Sequence, residues 1–427
     1  LACVRYRTAN PRPGPPIVFL AGGPGGSGVE FCGLVATHPQ IRLLEHADVI
    51  GLDQRGTGLS NPNLMSEAMV TCEFPLDRTL TRDDVIDAVR RAVSSSARTW
   101  RERGVDLTAY NSVESADDVE DLRRALGVPR IVTFGTSYGS HLALAHLRRH
   151  PQSVARAVLR KVEGPDDTFK LPRTTQQQLE QLHDEVARLP GLRAEVPDLL
   201  GLVERLRDQL TTAPVPATAH AGTDSAATLV LGPYDLQVEL ARALATSGSR
   251  AAIPALLLRL ARGDWAPLAE SALANRSLAM PLLPVLVDCA SGATASRSAA
   301  IRREIQDPAY LLADALQAPL YLECCEGSGA ADLGDGFRGP LTCDVPVLFV
   351  SGTLDARTPP ANAVRLAVGL PRAVHVVVEN AGHESRELMS EEFRDLLQAF
   401  LRGESVASCT VSLPPVLIDL GQRTGNR

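Results

Sequence analysis

Short apolar runs alternate with segments of helical periodicity in the first and last parts of the chain. The runs predict strands at Ile17–Ala21, Val49–Asp53, Ile131–Phe134, Val154–Leu159, Val345–Ser351 and Val374–Val378. This alternation is typical of a parallel sheet with helices on both faces. Each run is followed by a loop rich in Gly, Ser, Asp or His. Because parallel strands end at a common edge, we expect these loops to meet there.

Between residues 164 and 339 the alternation gives way to helical patterns. These patterns predict helices at Thr175–Leu189, Leu199–Leu210 and Tyr234–Ala245. A stretch rich in Thr, Ala, Pro and Gly at 211–227 predicts a flexible connector, and Ser390–Leu401 predicts a final helix. A chain of 427 residues is too long for one ordinary domain. We therefore predict an α/β core at 1–163 and 340–427, interrupted by a helical lid at 164–339.

Composition and charge exclude some classes of partner. Hydrophobic residues at 44% and charged residues at 22% are typical of globular proteins, and no apolar stretch approaches the length of a membrane span. The formal net charge is −7, and the basic residues are scattered along the chain. The sequence therefore predicts neither a membrane span nor a nucleic-acid partner, and it does not indicate an oligomeric state.

Eight cysteines lack the paired CxxC spacing of a zinc site. Their even number favours disulfides and a secreted or periplasmic location, with reduced thiols in a cytoplasmic enzyme as the alternative. The pairings that we expect are Cys343 with Cys409, and Cys289 with either Cys324 or Cys325. The chain begins without a methionine, which we interpret as a processed form.

The strongest chemical motif is GTSYG at 135–139, between a predicted strand and a helix that extends to about Arg149. A serine hydroxyl becomes a useful nucleophile when a sharp turn exposes it beside a base. Small residues at 135 and 139 allow that turn. Ser137 is therefore the predicted nucleophile, and the alternative is a serine that only caps its helix.

Attack by serine on a carbonyl requires N–H donors for the oxyanion. The N–H of Tyr138 is one candidate, and the glycine-rich loop at 21–28 supplies the other. Gly23 is the preferred donor there, with Gly25 or Gly26 as alternatives. The same loop matches the dinucleotide pattern GxGxxG, but Pro24 does not suit that turn. We therefore predict no cofactor, and the mechanism needs no metal.

The base must exchange a proton with Ser137, and histidine suits this role. Of nine histidines, only His383 lies in a loop directly after a late predicted strand. The other histidines near predicted elements are interpreted as packing or surface residues: His141, His146, His150 and His375.

A carboxylate must orient the histidine. Asp355 follows the strand predicted at 345–351 and precedes His383 in the chain. The order Ser, Asp, His is that of α/β-hydrolases. An acid at Asp166 or Asp167 is the alternative.

Together these motifs resemble the proline iminopeptidase and tripeptidyl aminopeptidase family of serine exopeptidases. The matching segments are GGPGGSG at 22–28, DQRGTGLS at 53–60, GTSYGS at 135–140, SGTLDARTP at 351–359 and AGH at 381–383. The resemblance implies the α/β-hydrolase fold and release of residues from the free amino end of peptides. It also implies acidic lid residues that bind the substrate ammonium group.

Within the predicted lid, CCE at 324–326 resembles the family's C-x-E element. This makes Glu326 the first candidate for the ammonium site and Glu323 the second, with a surface glutamate as the alternative. This sequence departs from the family pattern at two places. Ala21 stands where many proline iminopeptidases have His, and RKVEG at 160–164 replaces the more usual Asp-Gly ending. These departures and the 4% aromatic content weaken a preference for proline.

Three functions follow from these features. The preferred one is an aminopeptidase that acts through Ser137, His383 and Asp355 on a peptide. The second is a carboxylesterase that uses the same triad on small or aromatic esters, because acyl transfer needs the same groups for either leaving group. The third is a binding protein that keeps the fold without turnover.

Overall fold

The computed structural model describes residues 1–220, 222, 225–313, 322–418 and 420. The strands in this part of the chain are β1 Ala2–Tyr6, β2 Ile17–Leu20, β3 Val49–Asp53, β4 Val70–Glu73, β5 Ile131–Thr136, β6 Val154–Arg160, β7 Val215–Ala219, β8 Ala227–Leu231, β9 Ser277–Met280, β10 Val347–Gly352, β11 Ala373–Glu379 and β12 Cys409–Ser412. Eight of them form one sheet in the order β1-β3-β2-β5-β6-β10-β11-β12. Only β1 is antiparallel to its neighbour in this sheet.

The α-helices in the described residues are α1 Gly28–Ala36, α2 Arg82–Glu102, α3 Ser112–Ala125, α4 Tyr138–Arg149, α5 Pro172–Arg188, α6 Pro190–Glu195, α7 Leu199–Thr212, α8 Pro233–Ala243, α9 Ser247–Ala251, α10 Ile253–Ala261, α11 Ala266–Ala274, α12 Leu282–Ser291, α13 Ala295–Gln306, α14 Gly334–Arg338, α15 Pro360–Ala367 and α16 Glu391–Arg402. Short 3₁₀ helices lie at 43–45, 107–109, 151–153 and 386–389. None of the helices described combines the length and apolar character that crossing a bilayer requires.

Helices cover both faces of the large sheet. Along β2, Val18 and Leu20 pack into the apolar cluster on one face, and Ile17 and Phe19 pack into the cluster on the other. A strand that is buried on both faces has an almost continuously apolar sequence. All six predicted strands are present, with ends within two residues of their predicted positions. The edge strands β1 and β12 were missed, because half-exposed edges lack that signal.

The segment 164–339 adds no strand to the large sheet in its described part. Helices α5, α7, α8, α10 and α11 share a third apolar cluster that includes Leu179, Leu206, Leu240 and Leu268, whereas α12 packs into a cluster beside the large sheet. Strand β9 pairs antiparallel with β4, which joins this segment to the first part of the chain. We call the segment the lid from here on.

The expectation of a flexible connector at 211–227 is wrong for most of that stretch. Helix α7 continues to Thr212, and β7 pairs antiparallel with β8, with Ala217 opposite Leu229. Side chains of β7 alternate between less and more exposed positions, and Ala219 is fully buried. This period of two is the signature of a strand, and the Thr, Ala and Pro content concealed it. Residues 221, 223 and 224 lie outside the described residues.

One of the expected disulfides is present. Cys289 on α12 is bonded to Cys325, with 5.3 Å between their Cα atoms, while Cys324 is a buried free thiol. The expected pair of Cys343 and Cys409 is wrong, since both are free. Cys409 lies in β12 and Cys343 precedes β10, and β11 runs between these two strands. Two strand spacings exceed the reach of a disulfide, which is about 7 Å between Cα atoms.

Candidate active site

Ser137 lies on a sharp turn between β5 and α4. Its φ is 54° and its ψ is −125°, a conformation that non-glycine residues rarely adopt. A Cβ on Gly135 would overlap the backbone of Gly139, and a Cβ on Gly139 would overlap the carbonyl of Leu20. Both flanking positions therefore require glycine, and the turn holds the serine hydroxyl at the carboxyl edge of the sheet.

His383 joins this serine to an aspartate. Its Nε2 lies 3.1 Å from Ser137 Oγ, and its Nδ1 lies 2.8 Å from Asp355 Oδ2. Since an ionised carboxylate only accepts hydrogen bonds, Nδ1 donates to Asp355 and Nε2 accepts from the serine hydroxyl. The structure thus brings together three side chains that lie 246 and 28 residues apart along the chain.

Asp355 is fully buried and receives four hydrogen bonds. Its Oδ1 accepts the N–H groups of Arg357 and Thr358, and its Oδ2 accepts His383 and the Thr358 hydroxyl at 2.6 Å. Burial alone would raise the pKa of Asp355, but the charge and hydrogen bond of His383 and the bonds from Thr358 lower it well below its usual value. Asp355 is therefore held as an anion.

Thr358 was missed by the sequence analysis. Its hydroxyl lies 2.6 Å from Asp355 Oδ2 and 3.2 Å from His383 Nδ1, so it contacts both members of this hydrogen-bonded pair. A threonine three residues after an aspartate at a strand end is a pattern of side-chain-capped turns. This spacing is the sequence feature that could have indicated Thr358.

The glycine-rich loop lies against the serine turn. A Cβ on Gly22 would lie 3.1 Å from the Cβ of Ser137. Gly23 has φ of +129°, which favours glycine. Asp53 fixes this loop by accepting the Ser27 hydroxyl at 2.7 Å. Tyr138 begins α4, so its N–H has no partner within the helix. The candidate oxyanion donors Gly23 and Tyr138 thus flank the nucleophile.

The alternative acids are engaged elsewhere. Asp166 accepts hydrogen bonds from the backbone and hydroxyl of Thr294. Asp167 accepts from Arg297 at 2.9 Å and Arg365 at 2.6 Å. Neither is a hydrogen-bond partner of the histidine, which is bonded to Asp355.

The two predicted ammonium-binding glutamates have different surroundings. Glu326 is exposed, directly after the disulfide-bonded Cys325. Glu323 is ion-paired with Arg302 at 3.2 Å and lies 4.0 Å from Arg90. The structure brings neither into hydrogen-bond contact with the serine, histidine and aspartate, and two arginines already balance the charge of Glu323.

Helix α12 of the lid contacts the helix that follows the nucleophile. Ser291 Oγ lies 3.0 Å from His141 Nε2 and 3.3 Å from Ser112 Oγ, which lies 3.1 Å from the Tyr138 hydroxyl. His141 is buried beside Tyr138, and burial lowers its pKa. The packing role expected for His141 agrees with these contacts.

One carboxylate near this junction was not singled out from the sequence. Asp288 lies on α12 one turn before Ser291, and no hydrogen bond or ion pair to its carboxylate occurs among the described residues. Burial, together with repulsion by Glu163, raises its pKa well above the usual value, although Lys170 opposes this. Burial raises the pKa of the Tyr138 phenol, and the nearby charge of Asp288 raises it further. Among the described residues, Asp288 is therefore an acid without a hydrogen-bond or ion-pair partner whose charge acts on the Tyr138 phenol.

One surface groove belongs to another part of the molecule. It has a volume of about 540 Å³ and lies at the amino ends of the strands, where Arg130, Arg156 and Arg372 line it. The serine, histidine and aspartate lie at the opposite edge. No group of three or more His, Cys, Asp or Glu side chains in the described residues is arranged to hold a metal ion.

The fold and the site define a family. The chain matches the alpha/beta hydrolase fold family over residues 15–387 and belongs to it. It is similar to a serine protease of Mycobacterium tuberculosis (29% identity, 39% of this chain and 32% of that protein). It is also similar to the tripeptidyl aminopeptidase of Streptomyces coelicolor (29% identity, 35% and 28%) and the proline iminopeptidase of Neisseria gonorrhoeae (30% identity, 35% and 33%).

Each of these matches spans about a third of the relative's length. A solved proline iminopeptidase from Mycobacterium smegmatis is similar at a TM-score of 0.41 and 16% identity, with 94% of each chain covered. The resemblance seen in the motifs is confirmed by the named relatives. The chain is therefore an α/β-hydrolase-fold protein with peptidase relatives.

Proposed function

We propose that this protein is a serine hydrolase that removes residues from the free amino end of peptides. The observation that carries the proposal is the hydrogen-bonded series from Ser137 through His383 to buried Asp355. A strained serine turn beside glycine-rich backbone supports the same chemistry.

In the proposed reaction Ser137 Oγ attacks the scissile carbonyl carbon while His383 Nε2 takes the hydroxyl proton. Asp355 stabilises the resulting imidazolium. The carbonyl oxygen becomes an oxyanion, which the N–H groups of Gly23 and Tyr138 bind. When the C–N bond breaks, His383 returns the proton to the leaving amine, and an acyl-enzyme remains. Water then attacks this ester with His383 as base, and the serine hydroxyl is regenerated.

The aminopeptidase assignment needs an anionic site for the substrate ammonium group. We propose Asp288 for this role in place of Glu326 and Glu323. Among the described residues Asp288 has no hydrogen-bond or ion-pair partner, so a bound cation would break no existing ion pair, whereas Glu323 is already paired and Glu326 is exposed to solvent. The ammonium group would also counter the burial that raises the pKa of Asp288, and so would ionise it on binding.

Two experiments test the function. A fluorophosphonate probe should label the wild-type chain at Ser137 and fail to label Ser137→Ala. Absence of wild-type labelling, under conditions that label a control serine hydrolase, would favour the binding-protein alternative.

The second experiment compares an aminoacyl arylamide, its N-acetylated form and p-nitrophenyl acetate. We expect cleavage of the free-amine arylamide and strong discrimination against the acetylated one. Cleavage of the ester alone would reject the aminopeptidase in favour of the carboxylesterase.

We also propose that the protein works in an oxidising compartment, outside the cell or in the periplasm. The Cys289–Cys325 disulfide supports this, because such bonds are rare in reducing compartments. Fractionation of the source cells, with a cytoplasmic marker enzyme as control, tests the location.

A further inference from the structure

A corner of the lid touches the histidine loop directly. This lid corner, residues 245–247, follows α8 and ends at Ser247, the first residue of α9. The carbonyl of Ala245 accepts the backbone N–H of His383 at 2.8 Å. The lid therefore holds the main chain of the same residue whose side chain bonds to Ser137.

The side chain of Glu384, the residue after His383, also bonds to the lid corner. Its Oε1 accepts the hydroxyl of Ser247 at 2.5 Å, and its Oε2 accepts the backbone N–H of Ser247 at 3.1 Å. Ser247 is buried, with 4% of its surface exposed. Arg386 adds a bond to the Ser247 hydroxyl at 3.2 Å and another to the Asn380 carbonyl at 2.7 Å. Oε1 of Glu384 also accepts the backbone N–H of Gly382 at 3.3 Å, so the carboxylate joins Ser247 of the lid corner to the residue before His383.

Gly382 lets the two segments approach this closely. A Cβ at 382 would lie 3.0 Å from the N of Ser247, 3.1 Å from the O of Ala245 and 2.6 Å from Oε2 of Glu384. Any side chain at this position would press on the lid corner. The glycine before the histidine is therefore explained by the lid contact.

The lid also contacts the aspartate loop. On α5, Thr174 donates its hydroxyl to the Ala356 carbonyl at 2.9 Å, and Gln178 donates to the Thr353 carbonyl at 3.1 Å. The loops that carry the acid and the base are thus both bonded to lid residues.

We propose that Glu384 and Ser247 are positioning residues that set the orientation of the His383 imidazole. Through them the lid contributes to the activation of Ser137. This inference rests on the proposed function, because it assumes that His383 is the base. Misplacement of a catalytic group by about 1 Å, caused from a distance, costs on the order of a hundredfold in rate. Loss of the Glu384–Ser247 contact therefore affects turnover more than substrate binding.

The test uses Glu384→Ala, Glu384→Gln and Ser247→Ala. The matched control is Glu379→Gln, because Glu379 also accepts a serine hydroxyl, that of Ser412, but at an exposed strand end away from the lid. For each variant, kcat and KM are measured on a free-amine arylamide, together with the fluorophosphonate labelling rate and Tm.

We expect Glu384→Ala to lower kcat and the labelling rate together, by about tenfold to a hundredfold, with little change in KM. Glu384→Gln and Ser247→Ala should lie between Glu384→Ala and wild type, because each keeps one of the two bonds. The double variant Ser247→Ala/Glu384→Ala should be no slower than Glu384→Ala alone. The control should match wild type.

The outcomes separate the two proposals. If wild-type Ser137 is not labelled, the proposed function fails. If it is labelled, and Glu384→Ala lowers Tm yet is labelled at the wild-type rate per folded molecule, only the positioning role is rejected. Gly382→Ala provides a second test that leaves both partners intact, and it should reduce the labelling rate in the same way.

Discussion

Thr358 donates its hydroxyl to the Oδ2 of Asp355, the carboxylate oxygen that also accepts His383. Replacing it by valine keeps the shape but removes a donor to a buried anion. A hydrogen bond to a charged group contributes about 1.5–3 kcal/mol. We expect Thr358→Val to lower kcat by about tenfold with little change in KM, as measured on the preferred substrate. Thr358→Ser is the control and should keep most of the activity, whereas a valine variant within twofold of wild type would contradict this role.

The lowered pKa of Asp355 predicts a pH dependence of stability. Because its folded pKa lies below the unfolded value of about 3.9, the ionised form favours the folded state. This contribution is fully present above the unfolded pKa and is lost as pH falls through the lower folded pKa. Urea unfolding should show wild type more stable than Asp355→Asn by about 2–3 kcal/mol at pH 7. The difference should shrink below about pH 4, and a constant difference down to pH 2 would refute the assignment.

A buried ion pair secures the segment that follows His383. Arg160, at the end of β6, bonds to Glu387, and their side chains are 3% and 5% exposed. Removing one partner leaves an unpaired buried charge, so Glu387→Ala should cost about 3–5 kcal/mol in chemical unfolding. Glu404→Gln, in the exposed pair with Arg402, is the control and should unfold at the same denaturant concentration as wild type, because water screens an exposed pair. Equal losses would show that burial of the pair is unimportant.

The ammonium site can be assigned by comparing three carboxylates. Asp288→Asn should raise KM for the free-amine arylamide by about tenfold or more, because an ionic contact is lost, and should leave any activity on the N-acetylated form unchanged. Glu326→Gln and Glu323→Gln should have KM values near wild type. A raised KM in Glu326→Gln, with none in Asp288→Asn, would restore the assignment made from the sequence.

Local signals accounted for what the sequence predicted well. The six predicted strands are short and mainly apolar, and the serine turn is marked by glycines that the strand-to-helix junction requires. Since loop position follows from general rules for parallel sheets, the sequence alone predicts Asp355 and His383 near Ser137.

The sequence by itself determined the α/β core, the serine turn and the residues that meet at the carboxyl edge, because each depends on periodicity or on residues adjacent in the chain. The tertiary structure alone decided that Cys289 pairs with Cys325, that Thr358 supports Asp355 and that Asp288 has no hydrogen-bond or ion-pair partner in the described part of the chain. It also decided that Ser247 holds the loop of His383. These relationships depend on how a long insertion packs back onto the core, and no local pattern encodes which distant side chains then come within hydrogen-bond distance.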